Sequence, residues 1–158
     1  MIKVRKRSAL WYFLRGPVYL YRWHLGRLLD HRFLLLTHVG RRTGLRRQTV
    51  LEVVQYRKQG PEAVVMSGFS DSNWLRNINA NHDEAVTIGS QHFPATHRTL
   101  SPEEAVQVIA GYEHRNRWIA PIVRRGFSWL SGWTYRGTAD DRRRLTSQFP
   151  LIAFRPRT

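Results

Sequence analysis

The stretch Phe33-Leu-Leu-Leu-Thr-His-Val-Gly-Arg-Arg-Thr-Gly-Leu-Arg-Arg-Gln-Thr-Val-Leu51 sets an aliphatic run, a glycine-bounded basic turn and a second apolar run in succession. Such runs separated by a few turn residues predict two strands joined by a hairpin. The turn, Gly40-Arg41-Arg42-Thr43-Gly44-Leu45-Arg46-Arg47, brings four guanidinium groups and a hydroxyl to one loop. Its two glycines open backbone conformations closed to other residues, so successive N–H groups are expected to turn inward as an anion nest. Phosphate is the natural guest, because guanidinium grips it through paired hydrogen bonds. The spacing is neither a Walker loop nor the G-x-G-x-x-G of a dinucleotide fold. On these residues alone, a solvated basic hairpin turn is the competing reading.

Outward from that hairpin, short runs rich in branched and aromatic residues predict strands over Arg32 to Val39, Gln48 to Tyr56, Ala63 to Ser67, Glu84 to Ile88, Gln91 to Arg98 and Leu151 to Phe154. Lys58-Gln59-Gly60-Pro61 and Gly89-Ser90 supply turns between neighbours, so the strands form an antiparallel meander or barrel. Helices interrupt it. Ser72 to Asn79 reads as a short helix; Ser101-Pro-Glu-Glu104 is a capping box with proline at the first helical position, opening a helix to about Tyr112. Trp118 to Leu130 is a further helical region, and Thr138, with Asp141 three residues on, caps a last helix through Arg144.

Upstream, Trp11, Leu14, Val18, Tyr21, Leu25 and Leu28 recur at three- and four-residue spacing and predict an amphipathic helix kinked near Pro17. Its basic and aromatic residues suit either a membrane interface or packing against its own domain. Arg15, Arg22, His24 and Arg27 interrupt the apolar pattern, so neither a signal peptide nor a membrane span is expected and the location is read as cytoplasmic, with peripheral contact at the inner membrane face.

The chain has 158 residues, 42% hydrophobic and 12% aromatic, which suits a single domain with a substantial core. It divides into a basic amphipathic helix over 1–31 and a core over 32–158. Without cysteine there is no disulfide, thiolate metal site or cysteine nucleophile, so redox chemistry requires a bound cofactor. The formal net charge is +15, and it is blocked: +11 over 1–47, −4 over 48–113 and +8 over 114–158. Two cationic ends around an acidic middle imply a localised potential and an anionic partner.

Three motifs agree in order. The hairpin stretch 33–51, Ala63-Val-Val-Met-Ser-Gly-Phe69, and Asn73-Trp-Leu-Arg-Asn-Ile-Asn-Ala-Asn81 followed by a Val-Thr-Ile strand together resemble the deazaflavin (coenzyme F420)-dependent nitroreductase and quinone reductase family. The resemblance covers about residues 32 to 100 and extends weakly to the last strand. It implies an α+β fold, a split β-barrel of the antiparallel FMN-binding type with helices at both ends. It also implies an oxidoreductase that passes hydride between the reduced coenzyme and a hydrophobic acceptor. Coenzyme F420 carries a phosphate and a glutamate chain, which would account for the cationic loop and the net charge together.

By the same resemblance Arg41, Arg42, Thr43, Gly44 and Arg47, with Thr49 on the next strand, lie around the phosphate and tail. Ser67, Gly68, Phe69 and Ser70 border the ring, and Trp74 and Asn77 support the pocket. Two segments depart from the family: Ser67-Gly68-Phe69-Ser70, which is shorter before Trp74, and the C-terminal region, where Tyr112 to Trp118 and Phe127 to Tyr135 replace a tyrosine-rich helix. The aromatic replacement argues against inheriting nitro reduction directly and suggests a bulky, flat or greasy acceptor such as a quinone, polycyclic enone or lipid, within an acceptor range that the resemblance gives as quinone, enone or nitro compound. His38, Tyr112, His114 and Tyr135 are the candidate proton donors. Related barrels dimerise through the sheet, so a homodimer is a further expectation.

Other chemistries fit less well. The histidines lack metal-ligand spacing, since His92 and His97 fall on opposite faces of one strand. No Gly-x-Ser-x-Gly elbow supports a serine hydrolase, and Glu103-Glu104 and Asp140-Asp141 sit in first helical turns, where they complement the dipole. A nucleic-acid module shares the basic charge but lacks a recognisable motif, so no nucleic acid is expected. The same barrel holding FMN, haem or a fatty acid is the remaining alternative.

Overall fold

A computed structural model describes residues 30–68 and 72–158. Six strands, β1 (Phe33–Val39), β2 (Arg46–Arg57), β3 (Glu62–Met66), β4 (Glu84–Ile88), β5 (Gln91–Thr99) and β6 (Leu151–Pro156), close an antiparallel barrel in the order β1-β2-β3-β6-β5-β4. Among the described residues four helices accompany it: α1 (Asn73–Asn81), α2 (Pro102–Arg115), α3 (Ala120–Ser131) and α4 (Ala139–Gln148). The amphipathic helix expected over 9–29 falls outside the described residues.

Residue alternation assigns the two faces of the barrel wall. Leu34, Leu36, Val65, Val86, Ile88, Ile152 and Phe154 fill the interior, joined by Trp74, Leu75 and Ile78 from α1. The intervening Val64, Leu151 and Ala153 point outward into a second cluster with Val108, Ile109, Phe127, Leu145 and Phe149 of the helical layer. This double covering explains why β6 begins with four consecutive buried residues where a solvated strand would alternate. At about 25 cal/mol per Å² of apolar surface removed from water, these two clusters are the main favourable term for the fold.

Every expected strand is present. The helices run further than expected: α2 continues through Glu113 to Arg115, and α4 continues to Gln148. The helical region expected over Trp118 to Leu130 is present and is made of two pieces. A 3₁₀ turn, Arg117–Ile119, precedes α3, whose start coincides with Pro121 in the first turn and whose end is capped by Gly132 at φ 78°. Of the aromatic wall expected over Tyr112 to Trp118 and Phe127 to Tyr135, Tyr112 lines a cleft of about 420 Å³ together with Tyr56 and Arg115. Phe127 and Tyr135 are core residues of the second cluster, whereas Trp118 and Trp129 face solvent. Among the described residues no helix is long and apolar enough to cross a membrane.

Candidate functional site

A cleft of about 560 Å³ opens where the β1–β2 turn meets α1, lined by Arg41, Arg42, Thr43, Arg47 and Thr49 from the hairpin and Trp74 and Asn77 from the helix. Three of its lining residues are arginines and none is a carboxylate. Nothing in the wall therefore neutralises the cations, and an incoming anion finds them uncompensated.

The turn is built tightly on itself. Gly40 N–H donates to Leu45 O at 2.9 Å, Gly44 N–H to Gly40 O at 2.8 Å, and Leu45 N–H to Thr43 Oγ1 at 3.4 Å. Gly44 adopts φ +65°, the left-handed region, and a Cβ on Gly40 would stand 2.7 Å from Thr43 Oγ1. Arg41 N–H is also engaged, donating to Asn77 Oδ1 at 3.1 Å. The expected nest of inward N–H groups is thus corrected: within Gly40 to Leu45, only Arg42 and Thr43 keep an N–H without an acceptor among the described residues. Anion binding falls first to the guanidinium groups, with the adjacent N–H groups of Arg42 and Thr43 as the backbone donors that the turn and Asn77 leave over.

Asn77 joins the two walls. Its Oδ1 accepts from both the backbone N and Nη1 of Arg41, the latter at 3.0 Å, so its Nδ2 is the atom left to donate to His38 Nδ1 at 3.1 Å. That assignment makes Nδ1 of His38 the unprotonated nitrogen and puts the ring proton on Nε2. Burial, and after it the neighbouring Arg47 guanidinium, lowers the His38 pKa below the ordinary imidazole value, so the ring is neutral at pH 7. Trp74 serves the cleft and the core together, since it is buried in the barrel cluster and also forms part of the cleft wall.

The remaining expected site residues lie elsewhere. Ser67 is buried, with its Oγ 3.0 Å from Ser72 Oγ, and neither it nor Gly68 lines the cleft; Phe69 and Ser70 are outside the described residues. Of the candidate proton donors only His38 reaches the cleft. Tyr112 donates to Glu52 Oε1 at 2.7 Å, and Tyr135 donates to Glu113 inside the helical layer. Burial, followed by the adjacent carboxylate, pushes both phenols up, which makes them poorer acids as well as distant ones. His114 is exposed on α2 beside Arg117.

Gln48 and Asn73 line the cleft without having been picked out from the sequence, and Gly40, read there only as a turn residue, lines it too. Asn73 was findable, one helical turn before Asn77 on the same face; it accepts from Arg41 Nη1 at 3.5 Å. Nothing in the local pattern marks Gln48.

The family profile described as F420H(2)-dependent quinone reductase matches residues 19–120. None of the curated proteins matches the chain. Among solved structures, the heme storage protein HutZ from Vibrio cholerae is 16% identical with a TM-score of 0.51, over 87% of this chain and 89% of that one. A putative pyridoxamine 5'-phosphate oxidase from Listeria innocua is 15% identical with a TM-score of 0.50, over 88% and 94%. At such identities these two speak for the split-barrel fold alone. An F420-H2 dependent reductase, FDR-A, is 20% identical over 79% of this chain and 95% of that one, with a TM-score of 0.45.

Proposed function

The chain belongs to the F420H(2)-dependent quinone reductase family, an oxidoreductase family whose cofactor is coenzyme F420, and we propose that the cleft between the β1–β2 turn and α1 is where it holds that coenzyme. When bound, the reduced deazaflavin supplies the hydride. The chain's own residues bind and orient. Arg41, Arg42 and Arg47 take the phosphate and acidic tail, Thr43 and Thr49 add hydroxyl donors, and Trp74 gives the ring a flat apolar wall. Asn77 fixes the Arg41 guanidinium before any ligand arrives, which reduces the ordering cost of binding. His38, neutral with its proton on Nε2, is the one candidate acid of the set in reach of the cleft.

The observation that carries the assignment is a lining with three guanidinium groups and no carboxylate, which suits a polyanion attached to a planar heterocycle. The acceptor we propose is hydrophobic, a quinone, enone or nitro compound. We also read residues 1–158 as one domain, with the basic, aromatic segment 1–31 in contact with the cytoplasmic membrane face.

Replacing Arg41, Arg42 and Arg47 with alanine should weaken reduced-coenzyme binding at least about tenfold, or about 1.4 kcal/mol, and flatten its salt dependence. Arg41 also holds Asn77, so the single variant Arg42→Ala, which touches no such partner, provides a control for folding. Titration of the coenzyme by fluorescence checks both; unchanged affinity in both variants removes the loop from the site.

A further inference from the structure

Exposed apolar side chains are concentrated in one stretch, the 3₁₀ turn and the helix α3 that follows it. The five large ones among the described residues are Leu45, Trp118, Ile119, Ile122 and Trp129, and four of them fall between the 3₁₀ turn and the end of α3. Trp118 is 86% exposed, Ile122 68% and Trp129 65%. Ile122 and Trp129 are seven residues apart, which puts them about 20° from one another around the helix axis, with Arg125 between them on the same side. Phe127, on the opposite face, is buried, and Val123 and Leu130 pack against the same core. The helix therefore spends one apolar face on its own domain and presents a second to solvent.

Charge identifies what covers it. From His114 to Trp133 the chain carries four arginines and no acidic residue. Among the described residues none of Arg115, Arg117, Arg124 and Arg125 forms an ion pair with a carboxylate. The Arg117 guanidinium lies 5.4 Å from the Trp118 ring centroid, a pairing that sets a cation beside an amphipathic ring. We infer that the outer face of the 3₁₀ turn and α3, with Trp118, Ile122 and Trp129 as apolar anchors and Arg117 and Arg125 as headgroup contacts, docks on an anionic lipid surface.

The arrangement is that of an interfacial helix, with tryptophans at headgroup depth and arginines beside them to meet phosphate. A second copy of this chain is a poorer occupant, because pairing the face with itself would oppose two unneutralised arginine sets. This docking goes beyond the proposed reaction.

The test uses the full chain and sedimentation with vesicles of phosphatidylcholine, with and without phosphatidylglycerol. The wild type should bind the phosphatidylglycerol vesicles and not the neutral ones. The variant W118A/I122A/W129A should bind them at least about tenfold more weakly, with melting temperature and coenzyme affinity unchanged. R117E/R125E should also weaken binding while leaving the apolar face intact. Wild-type protein that stays in the supernatant, or that binds neutral vesicles equally, overturns the inference. So does vesicle binding that survives both variants, which would assign attachment to the N-terminal segment. Conversion of a wild-type dimer to monomer by W118A/I122A/W129A, with vesicle binding retained, would give the face to a second copy instead. Coenzyme affinity is read in parallel, so failure here leaves the proposed cofactor site standing and failure there leaves the docking face standing.

Discussion

Asn77 decides the chemistry of the cleft through one constraint: its amide oxygen is committed to Arg41, so only its nitrogen can face His38. Asn77→Asp tests this directly. A carboxylate keeps the Arg41 contact but places an acceptor against the lone pair of His38 Nδ1, and the conflict is relieved by protonating the ring. The His38 pKa, lowered in the wild type by burial and Arg47, should therefore rise above 6.5 in the variant. Linkage gives the signs. In the wild type the stability tied to neutral His38 is complete above pH 6.5 and is lost as pH falls through the lowered folded value. In Asn77→Asp the contribution is present below 6.5 and is lost as pH rises through the raised value. Imidazole C–H shifts by NMR read the pKa, and urea midpoints at pH 5 and pH 8 read the stability. An imidazole in the variant that titrates no higher than in the wild type would mean that Asn77 does not donate to His38.

At the scale of elements, the cleft and the helical layer are separable. The cleft rests on the β1–β2 turn and α1, whereas α2 and α4 pack on the outer wall of the barrel. Both of these helices open with capping boxes: Ser101 Oγ accepts from Glu104 N–H at 3.2 Å, and Thr138 Oγ1 accepts from Asp141 N–H at 3.1 Å. Ser101→Ala and Thr138→Ala should each cost about 1 kcal/mol of stability, read by chemical denaturation, with coenzyme affinity unchanged. A loss of affinity in either would show that the two layers are coupled. Those caps were legible because they are written within four residues of sequence, as were the strands and the Gly-Arg-Arg-Thr-Gly turn. What escaped depends on distant partners. The last turn of α2 persists because Glu113 pairs with Arg142 at 2.6 Å and accepts from Tyr135, contacts with residues far along the chain. The backbone nest is cut down to the N–H groups of Arg42 and Thr43 for the same kind of reason, since Asn77, 36 residues away, takes the Arg41 N–H. Tyr112 and Tyr135 looked available as acids until their partners, Glu52 and Glu113, were placed.

At the scale of the molecule, a formal charge of +15 has two consequences of opposite sign. Cations drawn to one cleft speed and tighten the capture of a polyanion, an effect that salt screens. The same excess charge repels itself in the compact state, and salt relieves that repulsion. With 26 basic and 11 acidic residues, attractive pairs are too few for their screening to outweigh the relief. Raising ionic strength from about 0.01 M to about 0.1 M shortens the screening length from about 30 Å to about 10 Å. Over that range coenzyme affinity should fall while the melting temperature of the ligand-free protein rises by about 2–4 °C, equivalent to about 1 kcal/mol at this chain length. Calorimetric titration and thermal unfolding across the same salt series check both slopes. Affinity that holds constant would separate the net charge from coenzyme capture, and a falling melting temperature would mean that specific ion pairs, such as those converging on the buried Glu62 from Arg57, Arg98 and Arg155, dominate over general repulsion.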